Sequence, residues 1–98
     1  MYASVEGESK VVRIDLQTGD RAQVFVGESP RGMALSADGS FLYVANYHTH
    51  TLSKIRTSDL EVIQTQKTNP SPTSIAYDPE TRQVWVSCAS GSVQVFQD

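Results

Sequence analysis

The feature that most constrains the fold of this chain is an internal repeat. The segment RGMALSADGSFLYVANYHTHTLSKI, from position 31, aligns with TSIAYDPETRQVWVSCASGSVQVF, from position 73, at an offset of 42 residues. Tyr43 falls on Trp85, and Tyr2 lies 41 residues before Tyr43. Self-similarity at a period of about 40 residues is typical of chains built from stacked, equivalent units. The sequence therefore predicts a repeat architecture.

The repeated unit consists of short strands separated by turns. The runs 11–14, 42–45 and 84–87 are β-branched or aromatic and have the length of strands. Several are apolar at consecutive positions, which indicates strands covered on both faces of their sheet. No segment keeps a period of 3.6 residues, so no helix is predicted. Regularly spaced strands leave a sandwich, a barrel or a propeller, and the repeat favours the propeller.

Two stretches resemble the YVTN-type propeller repeat. GESPRGMALSADGSFLYVAN, followed by LSKI, is the closer copy, and SPTSIAYDPETRQVWVSCASGSVQVF is a looser one. The resemblance covers nearly the whole chain. It implies an all-β fold of β-propeller blades, each a four-stranded antiparallel sheet counted from the central axis outward. It implies little about function, because relatives include surface-layer modules, lactonase-like enzymes and domains of cofactor-dependent oxidoreductases.

By this resemblance, residues 1–98 form a single propeller-repeat region of about 2.5 blades. A partial blade spans 1–30, a complete blade spans 31–72, and a second partial blade spans 73–98. The implied innermost strands are 33–36 and 73–77, and the implied second strands are 2–5, 41–46 and 84–88. The implied third strands are 11–16, 51–56 and 93–97, and the outermost are 23–26 and 62–66. The units therefore hold three, four and three strands.

An incomplete ring has consequences for the expected partners. A stack of a few blades exposes two apolar faces and open edges, whereas about four to eight blades close a ring. We therefore expect self-association into a closed ring, in which two copies supply six sheets, or the remainder of a longer propeller. The eight basic residues are scattered over a chain of net charge −3, so no nucleic-acid partner is expected. Without a bilayer-length apolar run or an export signal, the chain as given is expected to be cytoplasmic, with no membrane partner.

The resemblance also implies a binding face. The loops between second and third strands share one end of the propeller with the connections between blades, and binding residues concentrate on such loops. The residues collected there are Glu6, Gly7, Glu8, Glu28, Arg31, Asn46, Tyr47, His48, His50 and Asn69. The ligand-binding candidates among them are Glu28, Arg31, Asn46, Tyr47, His48 and His50.

The pair His48 and His50 is the sharpest local feature. In an extended segment, residues two apart point the same way, so both imidazoles could face one metal ion. A zinc site needs three or four ligands, and Glu6 or Glu8 would have to join from a neighbouring blade or chain. A solvated polar loop is the preferred interpretation, and no metal or cofactor is expected.

Arg31 offers a second chemistry. Its planar fork of donors, with His48 or His50, suits a carboxylate, phosphate or lactone oxygen. The alternative is that Arg31 follows the bend at Pro30 and pairs with Glu28.

Sequence motifs for catalysis are missing. The chain has no G-x-S-x-G, H-E-x-x-H, C-x-x-C or phosphate-binding glycine loop. Ser29, Ser36 and Ser71 lie in turns with no base nearby in sequence, so no catalytic residue is assigned. The first hypothesis is a non-enzymatic module for ligand binding, protein binding or assembly. The alternatives are a lactonase-like hydrolase site on an assembled propeller and a cofactor-holding domain of an oxidoreductase.

Several other residues are expected to have structural roles. Cys88, three residues after Trp85, is expected to be a small buried hydrophobic group and not a reactive thiol. Asp38 and Asp78 are expected to cap their own hairpin turns. The aromatic residues expected to pack between blades are Tyr43, Trp85 and Phe96.

Overall fold

The fold consists of three antiparallel β-sheets. The structure is a computed structural model that describes residues 1–97, and Asp98 of the predicted second partial blade lies outside the described residues. The first sheet holds β1 (Tyr2–Val5), β2 (Lys10–Ile14) and β3 (Arg21–Phe25). The middle sheet holds β4 (Pro30–Leu35), β5 (Phe41–Asn46), β6 (Thr51–Arg56) and β7 (Glu61–Lys67). The third sheet holds β8 (Pro72–Asp78), β9 (Gln83–Cys88) and β10 (Val93–Gln97).

Strands that are neighbours in sequence are also hydrogen-bonded neighbours within each sheet. The middle sheet runs in the order β4-β5-β6-β7 and forms one complete blade. The two outer sheets have three described strands each, so the predicted distribution of three, four and three is confirmed. All pairings are antiparallel, as hairpin-connected strands require.

Burial along the second strands shows which sheets are covered. In β5, five consecutive residues from Leu42 to Asn46 are buried, because sheets pack on both faces of the middle blade. In β9, burial alternates, with Val84, Val86 and Cys88 buried between exposed neighbours. The third sheet is therefore covered on one face, which gives the period of two expected of a half-buried strand.

Two separate hydrophobic cores hold the sheets together. The core between the first and middle sheets contains Val11, Leu42, Val44, Ile55 and Leu60. The core between the middle and third sheets contains Tyr43, Leu52, Val84, Val86 and Cys88. The middle sheet contributes to both, one from each of its faces. No residue belongs to both clusters.

The innermost strands of the middle and third sheets approach each other closely at Gly32. A Cβ atom at this position would lie 2.9 Å from the Cα of Ser74, so a side chain would push the two strands apart. These strands begin earlier than predicted, at Pro30 and Pro72. Each has a register shift directly after its proline, and a proline is tolerated as a first strand residue because it has no N–H to donate.

One short helix departs from the all-strand prediction. Residues Glu6–Glu8, between β1 and β2, form a single turn of 3-10 helix that ends at Ser9 in the left-handed conformation (φ 55). A helix of one turn has no periodicity that a sequence pattern could reveal. No helix within residues 1–97 is long and apolar enough to span a membrane.

Candidate functional site

One end of the middle blade presents a cluster of polar loops that we call the loop face. It comprises the β5–β6 turn at 47–50, the β3–β4 connection at 26–29 and the β7–β8 connection at 68–71. The backbone N–H of Tyr47 donates to the carbonyl of Ser29 at 2.9 Å, and that of His48 donates to Glu28 at 3.2 Å. The carbonyl of His50 accepts from Thr68 at 2.9 Å. The turn is therefore tied to both connections.

Arg31 is held over an aromatic ring on the loop face. Its guanidinium carbon lies 3.8 Å from the centre of the Tyr47 ring. Its Nε forms an ion pair with Glu6 of the first sheet at 3.6 Å, and its side chain is 39% exposed. Arg31 thus pairs with Glu6, and the expected pairing with Glu28 is not the one that forms within residues 1–97. A stacked and paired guanidinium loses little further freedom on binding a ligand.

His48 contacts the same tyrosine ring as Arg31. The imidazole meets the Tyr47 ring edge to face, with the ring centres 5.2 Å apart. Its Nδ1 lies 2.5 Å from the Oγ of Ser29, which can donate its hydroxyl proton to this nitrogen. Ser29 has a left-handed backbone (φ 55), and so does its repeat equivalent Ser71 (φ 62), so the conformation belongs to the connections in general.

His50 does not face the same point as His48. The segment between β5 and β6 is a turn, not the extended stretch on which the shared-metal hypothesis rested, and His50 has a φ of 56. Its Nδ1 accepts the backbone N–H of Ser71 at 2.9 Å, which connects the turn to the third sheet. Within residues 1–97, no three His, Cys, Asp or Glu side chains are grouped so that they could hold a metal ion.

Asn46, predicted as a ligand-binding residue, is fully buried beneath the loop face. Its Nδ2 donates to Ser53 at 2.9 Å and to Thr51 at 3.1 Å. Its Oδ1 is buried without a hydrogen-bond partner among the described residues. This geometry corrects the expectation, because a side chain with no exposed surface cannot meet a ligand at the loop face.

The remaining predicted residues are dispersed. Glu28 is exposed and contributes its backbone carbonyl to the turn, while Glu8 pairs with Lys10 at 3.5 Å. The amide of Asn69 donates to Ser92 at 3.0 Å, so Asn69 braces the β9–β10 turn. Of the six candidates, the structure brings together Arg31, Tyr47 and His48 around one ring.

The sequence interpretation did not assign Ser29 to the site. His48 lies 19 residues further along the chain, so a search for a base near Ser29 in sequence could not find it. The repeat is the sequence feature from which this contact could have been inferred. It implies that the turn between second and third strands lies beside the connection that leads into an innermost strand, and these two segments carry His48 and Ser29.

The predicted structural residues have the expected surroundings, with one exception. Cys88 is 7% exposed, and its thiol lies 3.5 Å from the carbonyl of Asn69. Tyr43 and Phe96 pack in the core between the middle and third sheets. The exception is Trp85, which is 44% exposed on the uncovered face of the third sheet.

Comparison with solved structures supports the fold. Hydrazine synthase of Kuenenia stuttgartiensis is 24% identical to the chain, with a TM-score of 0.93 over 98% of it. U3-55K and the WD40 repeats of RRP9 are each 13% identical, with TM-scores of 0.88 over 98% of the chain. The chain spans only 28% of the hydrazine synthase chain, 32% of U3-55K and 31% of RRP9. The match confirms an all-β, partial propeller of about 2.5 blades.

Comparison with protein sequences gave two results. The chain matches no curated protein. A family model described as Arylesterase matches residues 11–98, which include the middle and third sheets and the whole loop face. This match covers most of the chain, and the chain therefore belongs to the arylesterase family.

Proposed function

We propose that the chain is a propeller module of the YVTN-repeat type that binds a carboxylate-bearing ligand or peptide at its loop face and does no chemistry itself. The observation that carries the proposal is that Arg31 and His48 both contact the ring of Tyr47. Arg31 provides positive charge in a fixed orientation, which suits a planar carboxylate.

The donors needed for such a ligand are available. Glu6 approaches Arg31 at Nε, and within residues 1–97 no hydrogen bond from the two terminal NH2 groups of Arg31 is found. The second ring nitrogen of His48 also has no hydrogen-bond partner among these residues. Tyr47, which both residues contact, adds an aromatic surface. A ligand with both a carboxylate and an apolar ring therefore fits this surface better than a purely ionic one.

Binding of benzoate, with neutral benzamide as the matched control ligand, tests this proposal by NMR titration or calorimetry. We expect benzoate to shift the resonances of residues 28–31 and 47–48. We expect Arg31→Gln to weaken binding about tenfold or more, since a hydrogen bond to a charged group contributes about 1.5–3 kcal/mol. Arg21→Gln, an exposed arginine on β3, is the control and should bind normally. Equal binding of benzamide, or equal loss in both variants, would contradict the proposal.

A second candidate function is ester hydrolysis at the same face. The contact between Ser29 and His48 and the family description Arylesterase favour it. In this scheme, His48 Nδ1 takes the hydroxyl proton as Ser29 Oγ attacks the ester carbonyl. The proton passes to the leaving alcohol or phenol, and a water molecule then releases the acid from the acylated serine. Arg31 would stabilise negative charge on the carbonyl oxygen.

Phenyl acetate hydrolysis separates this candidate from simple binding. If Ser29 is the nucleophile, Ser29→Ala and His48→Gln reduce the rate to that of the reaction without protein. The repeat-equivalent variant Ser71→Ala and the neighbouring variant His50→Gln serve as controls and keep the rate. A wild-type rate no higher than that of buffer alone would exclude hydrolysis by this chain and leave the binding function as the better account.

A further inference from the structure

The third sheet has an exposed apolar face, which we call the Trp85 face and define by Ala76, Trp85, Val93 and Val95. Trp85 is 44% exposed, Val93 is 58% exposed and Val95 is 44% exposed. Trp85 lies between Ala76 of β8 and Val95 of β10 in the register of the sheet. The three side chains therefore form a continuous apolar row across three strands.

The middle sheet shows what covers such a face. Tyr43 occupies the position of Trp85 in the repeat, and Leu52 occupies the position of Val93. Both are only 3% exposed, because they pack against the third sheet. The Trp85 face is thus one half of a sheet-to-sheet contact that the molecule already makes with its equivalent residues.

The other half of the same contact lies at the opposite end of the stack. The face of the third sheet that receives Tyr43 includes Val86 and Cys88. Their repeat equivalents in the first sheet are Ala3 and Val5, whose side chains point away from the middle sheet. Together with Val12 and Phe25 they form what we call the Val12 face, defined by Ala3, Val5, Val12 and Phe25.

The Val12 face is mainly apolar and contains one polar pair. Ala3 pairs with Val12 in the sheet, and Phe25 is 64% exposed. Lys10 lies within this face, between Val5 of β1 and Phe25 of β3, and its Nζ donates to the side chain of Gln23 at 3.0 Å.

We propose that the Trp85 face docks onto the Val12 face of a second copy of this chain. Each chain carries both halves of the contact, and the halves are different surfaces, so the interface is heterologous. Two copies joined in this way supply six sheets, within the number that closes a propeller ring. The inference is independent of the ligand proposed for the loop face.

A complementation experiment tests which faces meet. Trp85→Glu places a charge in the Trp85 face, and Val12→Glu places one in the Val12 face. Ile63→Glu changes an exposed residue that belongs to neither face and serves as the control. Light scattering should show that wild type and Ile63→Glu associate with increasing concentration. Each of the other two variants should stay monomeric alone. Their mixture should form a heterodimer, because each retains the face that the other lacks.

The fluorescence of Trp85 provides a selective readout, since it is the only tryptophan in the chain. In the mixture only the Val12→Glu chain emits, so a blue shift on adding Trp85→Glu reports burial of the docked face. Phe25→Glu replaces Val12→Glu if that variant does not fold. Self-association of the Val12→Glu variant alone would indicate contact between two Trp85 faces and overturn the proposal. A wild type that stays monomeric, or associates unaffected by Trp85→Glu, would overturn it as well.

Discussion

The hairpin turns illustrate how single side chains determine local structure. The carboxylate of Asp38 accepts the backbone N–H of Ser40 at 3.0 Å and the hydroxyl of Ser36 at 3.0 Å. In the next unit, Asp78 accepts the N–H of Glu80 at 3.0 Å. The bond from the Ser40 backbone is the main reason that the pKa of Asp38 is lowered. The predicted capping role of both aspartates is thereby confirmed.

Asp38 should make the stability of the chain dependent on acid pH. Because its pKa is lower in the folded state, its ionised form contributes stability above the unfolded pKa of about 3.9, and this contribution is lost as pH falls through the folded value. Asp38→Asn should therefore be less stable than wild type at neutral pH, and the difference should shrink as the pH falls below about 4. Urea unfolding at a series of pH values measures this. A difference that does not change with pH would contradict it.

Residue chemistry alone could not establish how the loop-face side chains combine. The prediction for His48 and His50 assumed an extended segment, but a left-handed turn residue at His50 rotates the second imidazole toward Ser71. Asn46 was expected at the binding face, yet it is the last residue of β5, a strand buried on both faces, and is itself fully buried. Orientation at a strand end depends on turn geometry, which a residue pattern does not specify.

At the scale of elements, the sequence predicted the strands well because turn residues bound almost every one. β1, β5, β6 and β10 have the predicted limits, including both strands of the β5–β6 hairpin. The strand that differs most is β4, which begins at Pro30 and not at 33, whereas β8 begins at Pro72, one residue before its predicted start. Each proline precedes a bulge, which is where a sheet accepts a residue without an N–H donor.

At the scale of the molecule, the middle blade is the element on which both outer sheets depend. It supplies Leu42 and Val44 to one core and Tyr43 and Leu52 to the other. In stacked repeats, stability is approximately a sum over units and their nearest-neighbour interfaces. The consecutive apolar pattern of the strands predicted this covering of two faces. What covers the Trp85 face was not predictable, because β9 has the same consecutive apolar pattern whether or not a further sheet packs against it.

The two cores should therefore loosen independently. Val11 of β2 and Val86 of β9 are both fully buried, one in each core, so Val11→Ala and Val86→Ala form a matched pair. Each should cost about 2 kcal/mol from lost burial and the remaining cavity. Native-state hydrogen exchange should show reduced protection in β1–β3 for Val11→Ala and in β8–β10 for Val86→Ala, with the opposite sheet unchanged. If both variants reduced protection equally throughout, the three sheets would open as one cooperative unit, and the nearest-neighbour description would not apply.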